Sequence, residues 1–131
     1  MEHSDKAFLA AEDALKLGHL ETAANRIYYS IFYAVSALAV KYSFKTSKHS
    51  QLRGWFNKKF VYEDKKFSAD LSAIYNKTFA YREKSDYDIV FKPKKDEVKK
   101  LFSASKKFIK EIKKELGIND KTTNKARQIK L

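Results

Sequence analysis

The stretch AANRIYYSIFYAVSALAVKYSF, residues 23–44, decides the fold. Its middle, Ile27 to Val40, runs fourteen residues without a charge, bracketed by Arg26 and Lys41. At helical spacing Ala24, Ile27, Tyr28, Ile31, Val35, Leu38 and Tyr42 form one stripe, and Tyr29, Phe32, Tyr33, Ala37 and Val40 fill much of the remaining circumference. A helix apolar on most of its sides needs cover on most of its sides. A membrane span would take about 20 apolar residues; this run is shorter and rich in Tyr. It is expected to be the central helix of an all-α domain, covered by its own chain and in part by a second copy, with no membrane contact.

Composition sets the outer limits. The chain has 131 residues, room for one domain with a real core. It has no Cys, which excludes a disulfide framework and Cys-ligated zinc and suits a reducing, cytoplasmic setting. Acids stand near the N-terminus where an export signal would be basic, so no signal segment is expected. Three Gly and one Pro favour long uninterrupted helices. The net charge of +12 is unevenly placed. Residues 1–45 carry 5 basic and 5 acidic side chains, residues 46–91 carry 9 and 6, and residues 92–131 carry 14 and 5. The basic excess therefore lies in the last third, where it would either attract a phosphate-bearing partner or form a solvated face.

Outward from the central stretch, a first helix is expected from an N-cap at Ser4 to about Leu17, stopped by Gly18. Thr46 or Ser47 would cap a third helix burying Leu52, Trp55, Phe56 and Phe60, after which VYEDKK loosens the pattern. A fourth helix is expected from Ser68 to Lys84, followed by a loop or short extended piece over residues 85–92. Pro93 would sit at or near the first turn of a last helix carrying Val98, Leu101, Phe102, Ser105, Phe108, Ile109, Ile112 and Leu116, stopped by Gly117. The sum is an up-and-down bundle of four long helices plus one shorter helix over residues 1–117, with a basic, disordered tail over residues 118–131.

No Gly-rich phosphate loop, no His pair at metal spacing and no Gly-flanked Ser nucleophile is present, and neither a cofactor nor a metal is expected. Two constellations remain. Arg26, Tyr29 and Tyr33 share one face of the central helix, where a guanidinium must find a partner or water. The simpler account is a buried Arg paired with an acid from a later helix and with Tyr hydroxyls. The second is Arg82-Glu83-Lys84-Ser85-Asp86-Tyr87-Asp88, in which Arg82 offers a planar fork to a phosphate. Its simpler account is a helix end where Arg82 packs and Asp86 or Asp88 pairs with it.

A-A-N-R-I-Y-Y-S-I-F-Y-A in the second helix, K-H-S-x-L-x-x-x-F from Lys48 to Phe56, R-E-K-S-D-Y and a Lys-rich last helix together resemble the HEPN superfamily. Within it, the chain is most similar to small stand-alone members with R-x-Y-Y-x-x-F and R-x-x-x-D-Y signatures, over roughly residues 5–116. The resemblance implies a helical bundle that dimerises, often beside a minimal nucleotidyltransferase in a toxin–antitoxin pair. It also implies metal-independent ribonuclease action through Arg, four to six residues, then His. Arg82 matches that Arg, but Tyr87 stands where the His is expected and no His follows it.

An ordinary Tyr is a poor base at neutral pH. His49 would substitute only if folding or dimerisation brought it near Arg82. In some HEPN toxins the partner transfers a nucleotide to a Tyr two residues after the His; Ile89 stands at that position here, leaving Tyr87 itself as a possible acceptor. The expectation is therefore a HEPN-like homodimer that binds or cleaves RNA, in a module with a minimal nucleotidyltransferase. Arg82 would contact phosphate, Asp86 would orient it, Tyr87 would donate a hydrogen bond, and Arg26, Tyr29, Tyr33 and His49 would support the cleft. The alternative is a catalytically silent dimer that binds nucleotide or protein through the same cleft.

Overall fold

The computed structural model describes residues 1–118, and every regular element among them is helical. In order these are α1 (Glu2–Lys16), α2 (Leu20–Lys41), α3 (His49–Phe56), α4 (Ala69–Tyr87) and α5 (Lys95–Leu116), with a π-helical segment (Asn57–Glu63) continuing α3. The expected bundle of four long helices and one shorter helix is the fold observed. The basic tail beyond Ile118 lies outside the described residues.

The central stretch is α2, which packs against α1, α3, α4 and α5. Ala24, Ile27, Tyr28, Ile31, Val35 and Leu38 are buried as the stripe requires. The opposite side is less covered: Tyr29, Phe32, Tyr33, Ser36 and Ala37 are half-buried and Val40 is 79% exposed. These positions recur at three- and four-residue steps, so they make one strip along α2, flanked by His49 of α3 on Phe32 and His3 of α1 on Tyr33 and most open at Val40.

Small side chains hold α1 close to α2. Ala7, Ala11 and Ala14 are buried on one side of that contact and Ala23 and Ala34 are buried on α2. Ser4 is not the cap of α1, because the helix begins at Glu2 with Met1 in the cap position. Ser4 is instead fully buried and its hydroxyl donates to the Ser30 carbonyl at 2.7 Å, the one way to satisfy it there. Gly18, at φ +76°, turns the chain in the left-handed region and lets α2 start at once.

The connection into α3 also differs from its expected form. Lys48 occupies the cap position, while the Thr46 hydroxyl accepts the Lys48 N–H at 3.1 Å and donates to Gln51 Oε1 at 2.6 Å. Thr46 thus folds the loop without capping the helix. After Phe56 the backbone widens into π geometry, with Phe60 and Val61 both buried. Phe56 is the hub of the core, with ring centroids 5.4 Å from Phe108, 5.6 Å from Tyr75 and 5.6 Å from Phe67.

Residues 85–87 belong to α4 rather than to a loop. The helix ends one residue later, where Asp88 turns extended and its Oδ1 accepts the Val90 N–H at 3.0 Å. Pro93 precedes the α5 cap, Lys94, and so lies outside the first turn. The far end of α5 is tied to α1 by a buried ion pair: Lys113 is 1% exposed and its Nζ is 2.8 Å from Asp5 Oδ1.

Candidate functional site

Three elements bring chemistry to one end of the bundle: the first half of α2, the first residue of α3 and the last turns of α4. Because α4 runs on to Tyr87, Arg82 and Asp86 are one helical turn apart, with Arg82 Nε 2.9 Å from Asp86 Oδ2. The N–H is not aimed at the oxygen, so the contact is an ion pair without a hydrogen bond. The simpler account of Arg82, packed and paired with Asp86, therefore describes its resting geometry. Glu83 stands farther off, at 3.7 Å from Arg82 Nη1.

Aromatic rings surround the guanidinium. Its carbon lies 5.5 Å from the Tyr28 ring centre, 5.6 Å from Tyr29 and 5.5 Å from Tyr87. Ring faces stabilise a cation without neutralising it. The Arg82 side chain is only 13% exposed. Burial opposes its charge, but Tyr29, Tyr87, Asp86 and Glu83 more than compensate and push its pKa up.

Arg26 joins this cluster through Asn25. Its Nε and Nη2 donate to Asn25 Oδ1 at 3.0 and 2.7 Å, while Asn25 Nδ2 donates to Asp86 Oδ2 at 3.3 Å. The Arg26 guanidinium also lies 4.9 Å from the Tyr29 ring, which it shares with Arg82. An acid partner for Arg26 was the simpler expectation. The side chain reaches instead to the adjacent amide, and Asp86 is met only one step further on.

His49 is the residue whose placement matters most. It opens α3, and its ring stacks on Phe32 with centroids 4.1 Å apart. Its Nδ1 is 2.9 Å from the Tyr28 hydroxyl. Tyr28 therefore touches His49 with its hydroxyl and Arg82 with its face. Burial lowers the His49 pKa, the Arg82 charge lowers it further, and Glu83 acts in the opposite direction. Burial pushes the Tyr28 hydroxyl well above the ordinary tyrosine range against the pull of Arg82, so it stays protonated at neutral pH. When Nδ1 donates its hydrogen to Tyr28, Nε2 is an acceptor; when Tyr28 donates, Nε2 carries the hydrogen.

Of the residues expected from sequence, Arg82, Asp86, Tyr87, Arg26, Tyr29 and His49 come together. Tyr33 does not reach Arg82. It lies one turn along α2 and packs near His3 of α1, with centroids 5.4 Å apart, and beside Tyr29 at 5.8 Å. Tyr28, Asn25 and Phe32 join the cluster although sequence spacing assigned them no role in it. Tyr28 fell on the apolar stripe and read as core, which it also is. Among the described residues, no group of three or more His, Asp or Glu is placed to hold a metal ion, and no helix is long and apolar enough to cross a membrane.

An all-helical bundle with an Arg-centred aromatic cluster at one end defines the class. The family model described as HEPN domain matches residues 1–116, and the chain belongs to the HEPN family. It is 31% identical over 129 residues to "Putative toxin MJ0142" of Methanocaldococcus jannaschii, an alignment covering 93% of this chain and 87% of that protein. It is 36% identical over 100 residues to a "UPF0332 protein" of Thermotoga maritima, covering 76% of this chain and 75% of that one.

Proposed function

We propose that this protein is a toxin-like HEPN ribonuclease in which His49, from α3, supplies the imidazole missing after Arg82. The observation that supports this reading is that Tyr28 meets His49 Nδ1 with its hydroxyl at 2.9 Å while the Arg82 guanidinium lies 5.5 Å from its ring centre. The name of the M. jannaschii relative supports the toxin-like role. A second copy would cover the open strip of α2 at Tyr29, Phe32, Tyr33, Ala37 and Val40, making a homodimer, and a minimal nucleotidyltransferase would be the module partner.

In the proposed reaction, the RNA 2′-hydroxyl loses its proton to His49 Nε2 as its oxygen attacks the adjacent phosphorus. The bond to the 5′-oxygen breaks and that oxygen takes a proton, from the imidazolium or from water, leaving a 2′,3′-cyclic phosphate and a 5′-hydroxyl. The lowered His49 pKa keeps the ring neutral and ready to accept a proton at neutral pH. Arg82 would stabilise charge on the phosphate oxygens, a preorganised role because the rings and Asp86 already fix it. Tyr87, 69% exposed, would hydrogen-bond the substrate.

The test is cleavage of a mixed RNA pool in EDTA by wild type and by Arg82→Ala, His49→Gln and Tyr87→Phe variants. Loss of cleavage in the first two, with folding intact, is expected. If wild type cuts nothing but binds RNA or nucleotide in an Arg82-dependent way, the protein is a silent recognition module. The near-closed seat of Arg82, already paired with Asp86, is the feature that favours that alternative.

A further inference from the structure

Among the described residues, the outer face of α5 is a regular, lysine-rich surface. Lys95, Lys99, Lys100, Lys106, Lys107, Lys110 and Lys114 are all exposed. Lys100, Lys107, Lys110 and Lys114 lie opposite the buried face of Val98, Leu101, Ser105, Phe108, Ile109 and Ile112, with Lys95, Lys99 and Lys106 along its border, because a helix advances about 100° per residue. Lys100, Lys107 and Lys114 recur at seven-residue steps, as do Lys99 and Lys106, so the ammonium groups form aligned rows. From Lys95 to Lys114 the rows span about 28 Å at 1.5 Å per residue.

These charges are uncommitted. Lys114 meets Glu111 at 3.5 Å, but no ion pair among the described residues involves Lys95, Lys99, Lys100, Lys106, Lys107 or Lys110. Asp96 and Glu97 in the first turn and Glu111 and Glu115 in the last offset part of this charge, and the self-repulsion of the remaining lysines is what a counter-anion would relieve.

The rows begin at the Arg82 end of the bundle. The Lys94 N–H, in the cap of α5, donates to the Tyr81 hydroxyl at 3.0 Å, and Tyr81 is the residue before Arg82 on α4. Consecutive residues on a helix point about 100° apart, so Arg82 and the start of the rows share one end of the bundle but different faces of it, and a phosphate chain reaching both must wrap around that end.

We infer that the lysine rows of α5 are a phosphate track that makes the substrate an extended single-stranded RNA rather than a mononucleotide. The inference rests on the RNA reading of the Arg82 site. An acidic protein fits the face less well, because protein interfaces are depleted in Lys at their centres and built on aromatic anchors. None of the large exposed hydrophobic side chains lies on α5; they are Leu17, Val40, Tyr62, Tyr87, Ile89, Val90 and Ile118.

The experiment measures binding of a fluorescent, unstructured 20-nucleotide RNA with 2′-O-methyl riboses, which cannot be cut by 2′-hydroxyl attack, across a range of KCl concentrations. Wild type is compared with three variants: Lys99→Gln, Lys106→Gln and Lys110→Gln together; Lys6→Gln, Lys16→Gln and Lys77→Gln together as the charge-matched control; and Arg82→Ala. The α5 variant should bind about tenfold or more weakly at low salt, with the slope of log affinity against log salt shallower by about 2. The control should lose much less.

Equal losses in the α5 variant and the control, or no loss in either, would overturn the track. If Arg82→Ala abolishes binding while the α5 variant binds as wild type does, the track falls and the Arg82 reading stands. The reverse pattern leaves the track standing and removes RNA from the Arg82 site. A wild type that binds poly-glutamate through α5 but no RNA would assign the face to an acidic protein and overturn the inference.

Discussion

Tyr28 separates a core role from a site role, because its ring and its hydroxyl do different work. The ring is fully buried, 5.7 Å from Phe79 and 5.5 Å from the Arg82 guanidinium. The hydroxyl has one partner, His49 Nδ1 at 2.9 Å. Tyr28→Phe removes only that hydrogen bond, whose net contribution to stability is about 0.5–1.5 kcal/mol. Tyr28→Ala also empties the ring's volume, which costs about 3–5 kcal/mol for a large aromatic. With a urea dependence of about 1–3 kcal/mol per molar, the Phe variant should lose roughly half a molar in midpoint and the Ala variant several times more. The Phe variant should nonetheless lose most of its cleavage, because the imidazole would no longer be held in one tautomer and orientation. His49→Gln should lose more, since general base action contributes about 10²–10⁴-fold. Urea unfolding, RNA cleavage and ¹⁵N shifts of the His49 ring measure the three effects. A folded Phe variant that cuts RNA like wild type, with unchanged His49 shifts, would refute the idea that Tyr28 orients His49.

Other expectations follow from the same contacts. Since Arg82 lowers the His49 pKa and Glu83 raises it, Arg82→Ala should move the His49 titration up and Glu83→Gln should move it down, readable by NMR. Because the folded His49 pKa is depressed, its contribution to stability is complete above the ordinary histidine pKa and is lost as pH falls towards the folded value. Urea midpoints of wild type should therefore decline over that window more than those of His49→Gln. Asp5→Ala should cost up to about 3–5 kcal/mol by removing the carboxylate 2.8 Å from the buried Lys113 ammonium, less whatever water reaches through the 23% exposure of Asp5. Replacing the pair with Asp5→Leu and Lys113→Met should recover most of that loss in urea unfolding. If a second copy covers the strip of α2 as proposed, Val40→Glu should leave a monomer in sedimentation where wild type is a dimer, while lowering the unfolding free energy of the chain itself by no more than about 0.5 kcal/mol.

The fold was legible because each helix announces itself by period and punctuation. Val98 to Leu116 keeps one stripe, Gly18 and Gly117 sit where left-handed turns end α1 and α5, and the central stretch could only be an interior helix. Boundaries were less legible where a side chain had two uses. Ser4 looks like a cap by type but spends its hydroxyl on Ser30, across 26 residues of chain, which local spacing cannot show. Residues 85–87 look like turn formers, yet the ion pair with Asp86 and the packing of Arg82 on Tyr87 favour one more turn of helix. The candidate site was legible in its cations and opaque in its imidazole. Arg82 and Asp86 are neighbours in sequence, whereas His49 lies on another helix 33 positions before Arg82, so only the packing of α3 on α2 could bring it in.

Tyr28 and Tyr29 also explain why the central helix read as apolar all round while one side of it stands open. Consecutive residues on a helix point about 100° apart, yet both rings lie within 5.6 Å of the same guanidinium. That is geometrically consistent only if Arg82 sits over the border between the buried stripe and the open strip, which agrees with its 13% exposure. At that border a phenyl ring would serve the core equally well, but a phenol on the inner side also holds His49. The half-covered ring of Tyr29 adds a second function, since it carries Arg26 as well as Arg82 and so keeps two positive charges at the edge of the open strip. Two cations held beside rings do not cancel each other. Asp86, 2.9 Å from Arg82, and Glu83, at 3.7 Å, offset those charges in the resting site, so an anion meets the full field of Arg82 and Arg26 only by displacing the carboxylates.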